Sequence, residues 1–218
     1  MACARDPVHA RRRALLRGIA IAATAASLPW LPGCGGKTPA LPKVGAQDVV
    51  LAFGDSLTYG TGARAEESYP AVLAGLIGRN VVRSGVPGEQ TAGGLARLPD
   101  VLAEHEPRLV LLCLGGNDML RKQPKDAIVA NLRSMARLVR GQGRGLVLLA
   151  VPQPAIFGGT AAFYAELAKE LDVPLEASAI NDVLRDNGLK SDPIHPNAAG
   201  YRKIAEAVAA LLRRAGAV

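Results

Sequence analysis

The serine at position 56, in "VVLAFGDSLTYG", follows five apolar residues, Val49 to Phe53, and a Gly-Asp pair that would serve equally to end a strand. A serine hydroxyl is a weak nucleophile until a base removes its proton. The chain offers three histidines: His9, in a cationic N-terminal stretch; His105, in "LAEHEPR" at the polar end of a helical pattern; and His195, in "SDPIHPN". His105 falls just before a strand-like run, on the rim away from a residue that follows a strand, and reads as a solvated surface residue. His195 is different because Asp192 stands three residues before it, with Pro193 stiffening the turn between them. That spacing can bring a carboxylate to the imidazole Nδ1–H, fixing the tautomer and stabilising an imidazolium. The same residues also suit a capping turn, with Asn197 or His195 opening the last helix and Asp192 as a loop acid. Acyl transfer further requires donors aimed at a developing oxyanion, each worth roughly 2.7–4 kcal/mol in the transition state. Gly88 in "SGVPGEQT" offers an unobstructed backbone N–H, and Asn117 in "LGGND" offers a side-chain amide.

These groups need a frame that brings them together. From Asp48 onward, short β-rich runs alternate with longer stretches whose apolar residues recur at spacings of three and four. The runs are Val49 to Phe53, Asn80 to Arg83, Leu109 to Leu114, Gly145 to Val151 and, less sharply, Val173 to Ala177. Nearly continuous apolar strands separated by helices imply a parallel sheet covered on both faces. With right-handed crossovers this predicts an α/β protein, a three-layer α/β/α sandwich with about five parallel strands. Ligands of such sheets sit at the carboxyl ends of the strands, near the point where strand order reverses. Ser56 follows the first run, Gly88 the second and Asn117 the third, so one rim would carry all three.

Composition narrows the class. The formal charge is +7, but five of the 26 Lys and Arg precede Cys34 against one acid, leaving 21 bases to 18 acids beyond it. So small an excess, with no basic run interleaved with aromatics, gives no support to nucleic-acid binding. Residues 1–33 combine a cationic start, an apolar stretch from about Gly18 to Leu31 and the ending "LPGC". They read as an export signal, with Arg12 to Arg17 resembling the twin-arginine type and "LPGC" resembling a bacterial lipobox that would make Cys34 a lipidated first residue. Cleavage at a nearby small residue and an uncleaved anchor are the alternatives; the second is disfavoured because Pro29 and Pro32 interrupt a stretch shorter than the roughly 20 residues a span needs. Residues 34–46 read as a tether and 47–218 as the folded domain. The expected location is outside the cytoplasm, periplasmic or held to a membrane by lipid. Cys113, alone in the apolar run "LVLLCLGG", reads as a small core residue, so the domain has no internal disulfide and no cysteine-based metal site.

"GDSLTYG", "SGVPGEQT", "LGGND" and "DPIH" occur in the order and at the separations of the four blocks of the SGNH (GDSL) hydrolases. From Val49 to the C-terminus the chain is similar to the arylesterase, thioesterase I and lysophospholipase group of that superfamily. The resemblance implies a flavodoxin-like SGNH-hydrolase fold and a serine esterase that cleaves acyl esters or thioesters through a covalent acyl-enzyme, without a cofactor or metal. It implies Ser56 as nucleophile, His195 as general base and then acid, and Asp192 as the orienting partner. The oxyanion hole would be the Ser56 N–H, the Gly88 N–H and the Asn117 side chain. The second block departs from the usual form, with Arg83 where asparagine is common, Pro87 for serine and Glu89 for aspartate. Proline removes its own N–H, but the donor required belongs to the next residue. Asp55 reads as a loop-organising acid.

Two other assignments fail on neighbouring residues. The α/β-hydrolase elbow needs a glycine two positions after the serine, and Ser56 lacks it. The glycine-rich "GQGRG" (Gly141 to Gly145) comes after a helix and before a strand, the wrong rim for a phosphate. Met119, Leu120, Ile156 and Phe157 are candidates to line an acyl pocket, or equally to pack. The partners expected are a small acyl ester or thioester and, through Cys34, a membrane surface, with the chain acting as a monomer. Carbohydrate O-deacetylation, and a non-catalytic binding lipoprotein on the same fold, are the alternative functions.

Overall fold

A computed structural model of the chain describes residues 38–153 and 159–218. Cys34, Ile156, Phe157 and residues 1–33 lie outside these. The elements alternate in the expected way: β1 (Val49–Gly54), α1 (Ser56–Tyr59), α2 (Tyr69–Ile77), β2 (Asn80–Gly85), α3 (Thr91–His105), β3 (Leu109–Cys113), α4 (Gly116–Leu120), α5 (Lys125–Arg140), β4 (Gly145–Leu149), α6 (Ala162–Leu171), β5 (Leu175–Glu176), α7 (Ala179–Arg185) and α8 (Ala198–Arg214). The five strands are all parallel, in the order β2-β1-β3-β4-β5.

That order decides the layers. The chain moves one way across the sheet from β1 to β2 and the other way from β2 through β3, β4 and β5. Right-handed crossovers therefore put α2 on one face and α3, α5 and α6 on the opposite face. Packing follows: α2 lies against α8, and α3 against α5. Every residue of β3 and β4 is buried, as is β1 from Val50 onward, because helices cover both faces of the sheet's centre. The edge strand β2 is only half-buried, and β5 is two residues long.

The order reverses between β1 and β3, which places the crevice for a ligand beyond their carboxyl ends. Gly54 closes β1 where no larger residue fits: a Cβ there would collide with the Cys113 carbonyl oxygen and the Thr58 hydroxyl. The close approach holds the turn that follows β1 against the end of β3.

The N-terminal boundary of the domain differs from the expected tether. Leu41 and Val44 donate their N–H groups to the carbonyls of Ala215 and Ala217, at 2.9 Å each, and Val44 is buried in the core. Residues 41–44 thus run beside the segment that follows α8, with Val44 in the core and Leu41 packed against it.

Candidate active site

Asp55 caps α1, its Oδ1 accepting the Leu57 N–H at 3.0 Å, so Ser56 stands at the first position of that short helix. The residues that meet it come from the far end of the chain. The loop before α8 is closed on itself: the Ser191 N–H donates to the His195 carbonyl at 2.9 Å, and Lys190 bridges Pro196. Within the loop the Asp192 Oδ1 accepts the N–H groups of Ile194 and His195, both at 2.9 Å. Asn197 caps α8 by accepting the Gly200 N–H. Tyr201 of α8 then donates its hydroxyl to the Thr61 carbonyl at 2.8 Å, fastening the loop beside the turn that carries Ser56.

The outcome is a relay. His195 Nδ1 lies 2.7 Å from Asp192 Oδ2, and Nε2 lies 3.0 Å from Ser56 Oγ. With Nδ1–H donating to the carboxylate, Nε2 is left as the acceptor of the serine proton. Both readings of the D-x-x-H spacing hold at once: Asp192 builds the turn with one oxygen and orients the imidazole with the other. Desolvation would raise the Asp192 carboxyl, but the Ile194 N–H and the His195 ring and N–H outweigh it, holding it below its ordinary range.

The two other expected donors follow other strand ends, Gly88 after β2 and Asn117 after β3. Gly88 follows β2 with φ of 79°, and among the described residues neither its N–H nor that of Ser56 donates to a backbone carbonyl outside the regular elements. Asn117, at the start of α4, turns its amide nitrogen toward Asp55 Oδ2 at 3.2 Å and the Glu89 carbonyl at 3.0 Å. A cavity of about 280 Å3 opens on Ser56, Asn117 and His195.

A serine hydroxyl, an imidazole and a carboxylate in hydrogen-bonding sequence at the mouth of a cavity are an arrangement suited to acyl transfer. Comparison with known proteins gives the same direction: residues 52–203 match the GDSL-like Lipase/Acylhydrolase family. The chain belongs to that family. It is similar to the thioesterase 1/protease 1/lysophospholipase L1 of Escherichia coli K12, 36% identical over 163 residues, covering 71% of this chain and 78% of that protein. It is also similar to an arylesterase of Vibrio mimicus, 33% identical over 175 residues, 75% of this chain and 88% of that one. A crystal structure of TesA superposes with a TM-score of 0.71 at 30% identity, covering 77% of this chain and 99% of that one. The chain is a serine ester hydrolase.

This GDSL hydrolase carries its unusual second block without distortion. The Glu89 N–H donates to the Val86 carbonyl at 3.1 Å, closing a β-turn with Pro87 at its second position and Gly88, at positive φ, at its third. Those are the residues a type II turn favours, so Pro87 stiffens the turn that presents the Gly88 N–H. Arg83 donates to the Tyr59 carbonyl and lies over the Tyr59 ring.

Asp55 is buried, and desolvation pushes its carboxyl up to about 7; the Leu57 N–H and the Asn117 amide oppose the rise, while the charge of Glu89 adds to it. Asp118, which the sequence reading passed over, is also buried: its Oδ2 accepts the Thr91 N–H at 2.9 Å and its Oδ1 the Thr91 hydroxyl at 2.6 Å. It ties the Asn117 turn to the start of α3. Only the presence of an acid in the block "GGND" hinted at it.

Of the proposed pocket residues, Leu120 is exposed and lines the cavity. Met119 does not; it packs against the core, since neighbouring residues of a helix point about 100° apart. Asn181, Leu184 and Arg185 of α7 line the cavity as well, with Val151 and Ile194. None of these was singled out from sequence, although the i, i+3, i+4 spacing of the first three is that of one helix face. His105 ends α3, away from Ser56, and Cys113 is buried in the core, where desolvation pushes its thiol up. Among the described residues no group of three or more His, Cys, Asp or Glu is placed to hold a metal ion.

Proposed function

We propose that the enzyme cleaves small acyl esters or thioesters through a covalent intermediate on Ser56. The observation that carries this reading is the unbroken chain of contacts from Asp192 through His195 to Ser56, with a cavity open beside the hydroxyl. His195 Nε2 takes the Oγ proton as Oγ adds to the substrate carbonyl carbon. The negative charge then builds on the carbonyl oxygen, facing the Ser56 and Gly88 N–H groups; the Asn117 amide, whose two hydrogens point to Asp55 and the Glu89 carbonyl, joins them by turning its longer bond, the 3.2 Å one to Asp55, onto that oxygen. Collapse breaks the bond to the leaving alkoxide or thiolate, which receives the proton from His195 and departs as alcohol or thiol. A water, deprotonated by the same nitrogen, attacks the acyl-serine, and the acid leaves as Oγ regains its proton.

The cavity, about 280 Å3, lies at the lower end of the roughly 300–1,000 Å3 of typical ligand sites. Its walls are largely apolar, with Leu57, Val151, Leu184 and Ile194 among them. Both features favour a short acyl chain or an aryl group. The arylesterase name of one relative agrees with an aryl group, whereas the lysophospholipase name of another would call for a longer acyl chain. A series of p-nitrophenyl esters from acetate to longer chains tests this: turnover should be highest for short acyl groups. Activity confined to acetate would favour deacetylation of carbohydrates, and none in folded protein would favour a binding role.

All the groups invoked come from one chain, which supports action as a monomer. The leader supports a second proposal, that residues 1–33 direct export and that Cys34 carries a lipid holding the domain at a membrane surface.

A further inference from the structure

The second block contains an ion pair that the reaction scheme does not use. Arg97, on α3, meets the Glu89 carboxylate with two nitrogens, Nε to Oε1 and Nη2 to Oε2, both at 2.7 Å. Glu89 is nearly buried and Arg97 about three-quarters so, their side chains being 8% and 23% exposed. The guanidinium also donates to the Ser84 hydroxyl at 2.7 Å, the Ser84 carbonyl at 3.1 Å and the Gly54 carbonyl at 3.2 Å. It lies over the Phe53 ring, 3.9 Å from its centre. One side chain thus holds the end of β1, the end of β2 and the loop after β2.

These are the segments on which the oxyanion donors ride. Gly54 is two residues before Ser56. Glu89 follows Gly88 directly, and its own carbonyl accepts from the Asn117 amide at 3.0 Å. The Cα of Glu89 is therefore the pivot between the Gly88 N–H and the acceptor that aims Asn117. We propose that Arg97 is a positioning residue for the oxyanion hole, acting through Glu89 to set the distance between the Gly88 and Asn117 donors. The inference rests on the acyl-transfer reading given above. Its physical basis is the planar guanidinium, whose five donors fork onto a carboxylate and two further segments at once; an ammonium offers three donors from one point and cannot span them. The longer glutamate, where the family commonly has aspartate, belongs to this clamp.

The test is steady-state hydrolysis of p-nitrophenyl acetate by Arg97→Lys and by Glu89→Gln, each made in the wild-type chain and with Asn117→Ala. Glu89→Gln keeps the shape of the clamp and Arg97 itself, so the test survives if Arg97→Lys folds poorly. In the wild-type chain either change should lower kcat by about tenfold while KM stays within about twofold, because donor aim matters most when charge develops. With Asn117→Ala the same change should cost only about twofold, since part of what the clamp aims is already gone. An equal loss of kcat in both backgrounds, or a lowered melting temperature with kcat unchanged, would overturn the proposal. Turnover that survives Ser56→Ala would instead overturn the acyl-transfer reading, and this inference with it.

Discussion

Asn117 donates its amide to the Asp55 carboxylate at 3.2 Å, across a sequence separation of 62 residues, and so joins the turn after β1 to the turn after β3. Asp55 spends its other oxygen on the Leu57 N–H. Asparagine at position 55 has one acceptor oxygen, so its amide would face either Leu57 or Asn117 as donor against donor. Asp55→Asn is expected to lower kcat by about tenfold to a hundredfold through a misaimed Asn117, with KM little changed. Ester hydrolysis and an unfolding curve on the same preparation check this.

Asp55 also gives stability a pH dependence of unusual sign. Burial raises its folded value to about 7 from an ordinary 3.8. Between those values the folded chain holds a proton that the unfolded chain has lost, so its contribution to stability falls as pH rises, at up to about 1.4 kcal/mol per pH unit, and levels off above about 7. Asp192 acts oppositely: its folded value is lowered, so the stability it contributes is full above the ordinary carboxylate range and is lost as pH falls. Denaturant unfolding at pH 5, 6 and 8 should show the decline in the wild-type chain and a flatter profile in Asp55→Asn.

Asp192→Asn tests the relay. The new amide can accept the two backbone N–H groups through its oxygen, but its NH2 then faces Nδ1 and selects the tautomer with hydrogen on Nε2. That tautomer cannot receive the serine proton. Loss of kcat by about 10³- to 10⁴-fold is expected, with the domain still folded and substrate still bound.

Much of this arrangement was legible because it depends on local rules. Apolar runs after which Gly, Asp or Asn falls mark strand ends on one rim, and a parallel sheet brings those ends together. What the sequence concealed depends on phase or distance. Met119 and Leu120 are adjacent, yet one packs inward and the other faces the cavity, because the register of a five-residue helix is set by its surroundings. The wall formed by α7 was missed because two turns of helix give too little periodicity to stand out. Asp118 meets Thr91 across 27 residues, and Glu89 meets Arg97 at a separation of eight that no helix-face rule singles out.

The wall itself predicts specificity. Leu184 projects from α7 into the cavity. Leu184→Trp should fill it and reduce kcat/KM for p-nitrophenyl butyrate relative to acetate by about tenfold or more, the scale on which small volume changes in apolar pockets discriminate. Equal loss on both esters would place the acyl chain elsewhere.

The proposed roles of residues 1–33 and Cys34 carry a separate prediction. If Cys34 bears the anchor, cells fed a labelled fatty acid should incorporate it into the mature protein, and Cys34→Ala should abolish the label and release the domain from membranes without lowering turnover.

The most direct measurement is covalent trapping with a p-nitrophenyl alkylphosphonate, which forms a phosphorus–oxygen bond as p-nitrophenolate departs, followed by mass spectrometry of peptides. One adduct per chain, on the peptide bearing Ser56, is predicted, with labelling nearly lost in His195→Ala and activity lost in step with labelling. An adduct on another residue, or full activity in chains labelled at Ser56, would contradict the account.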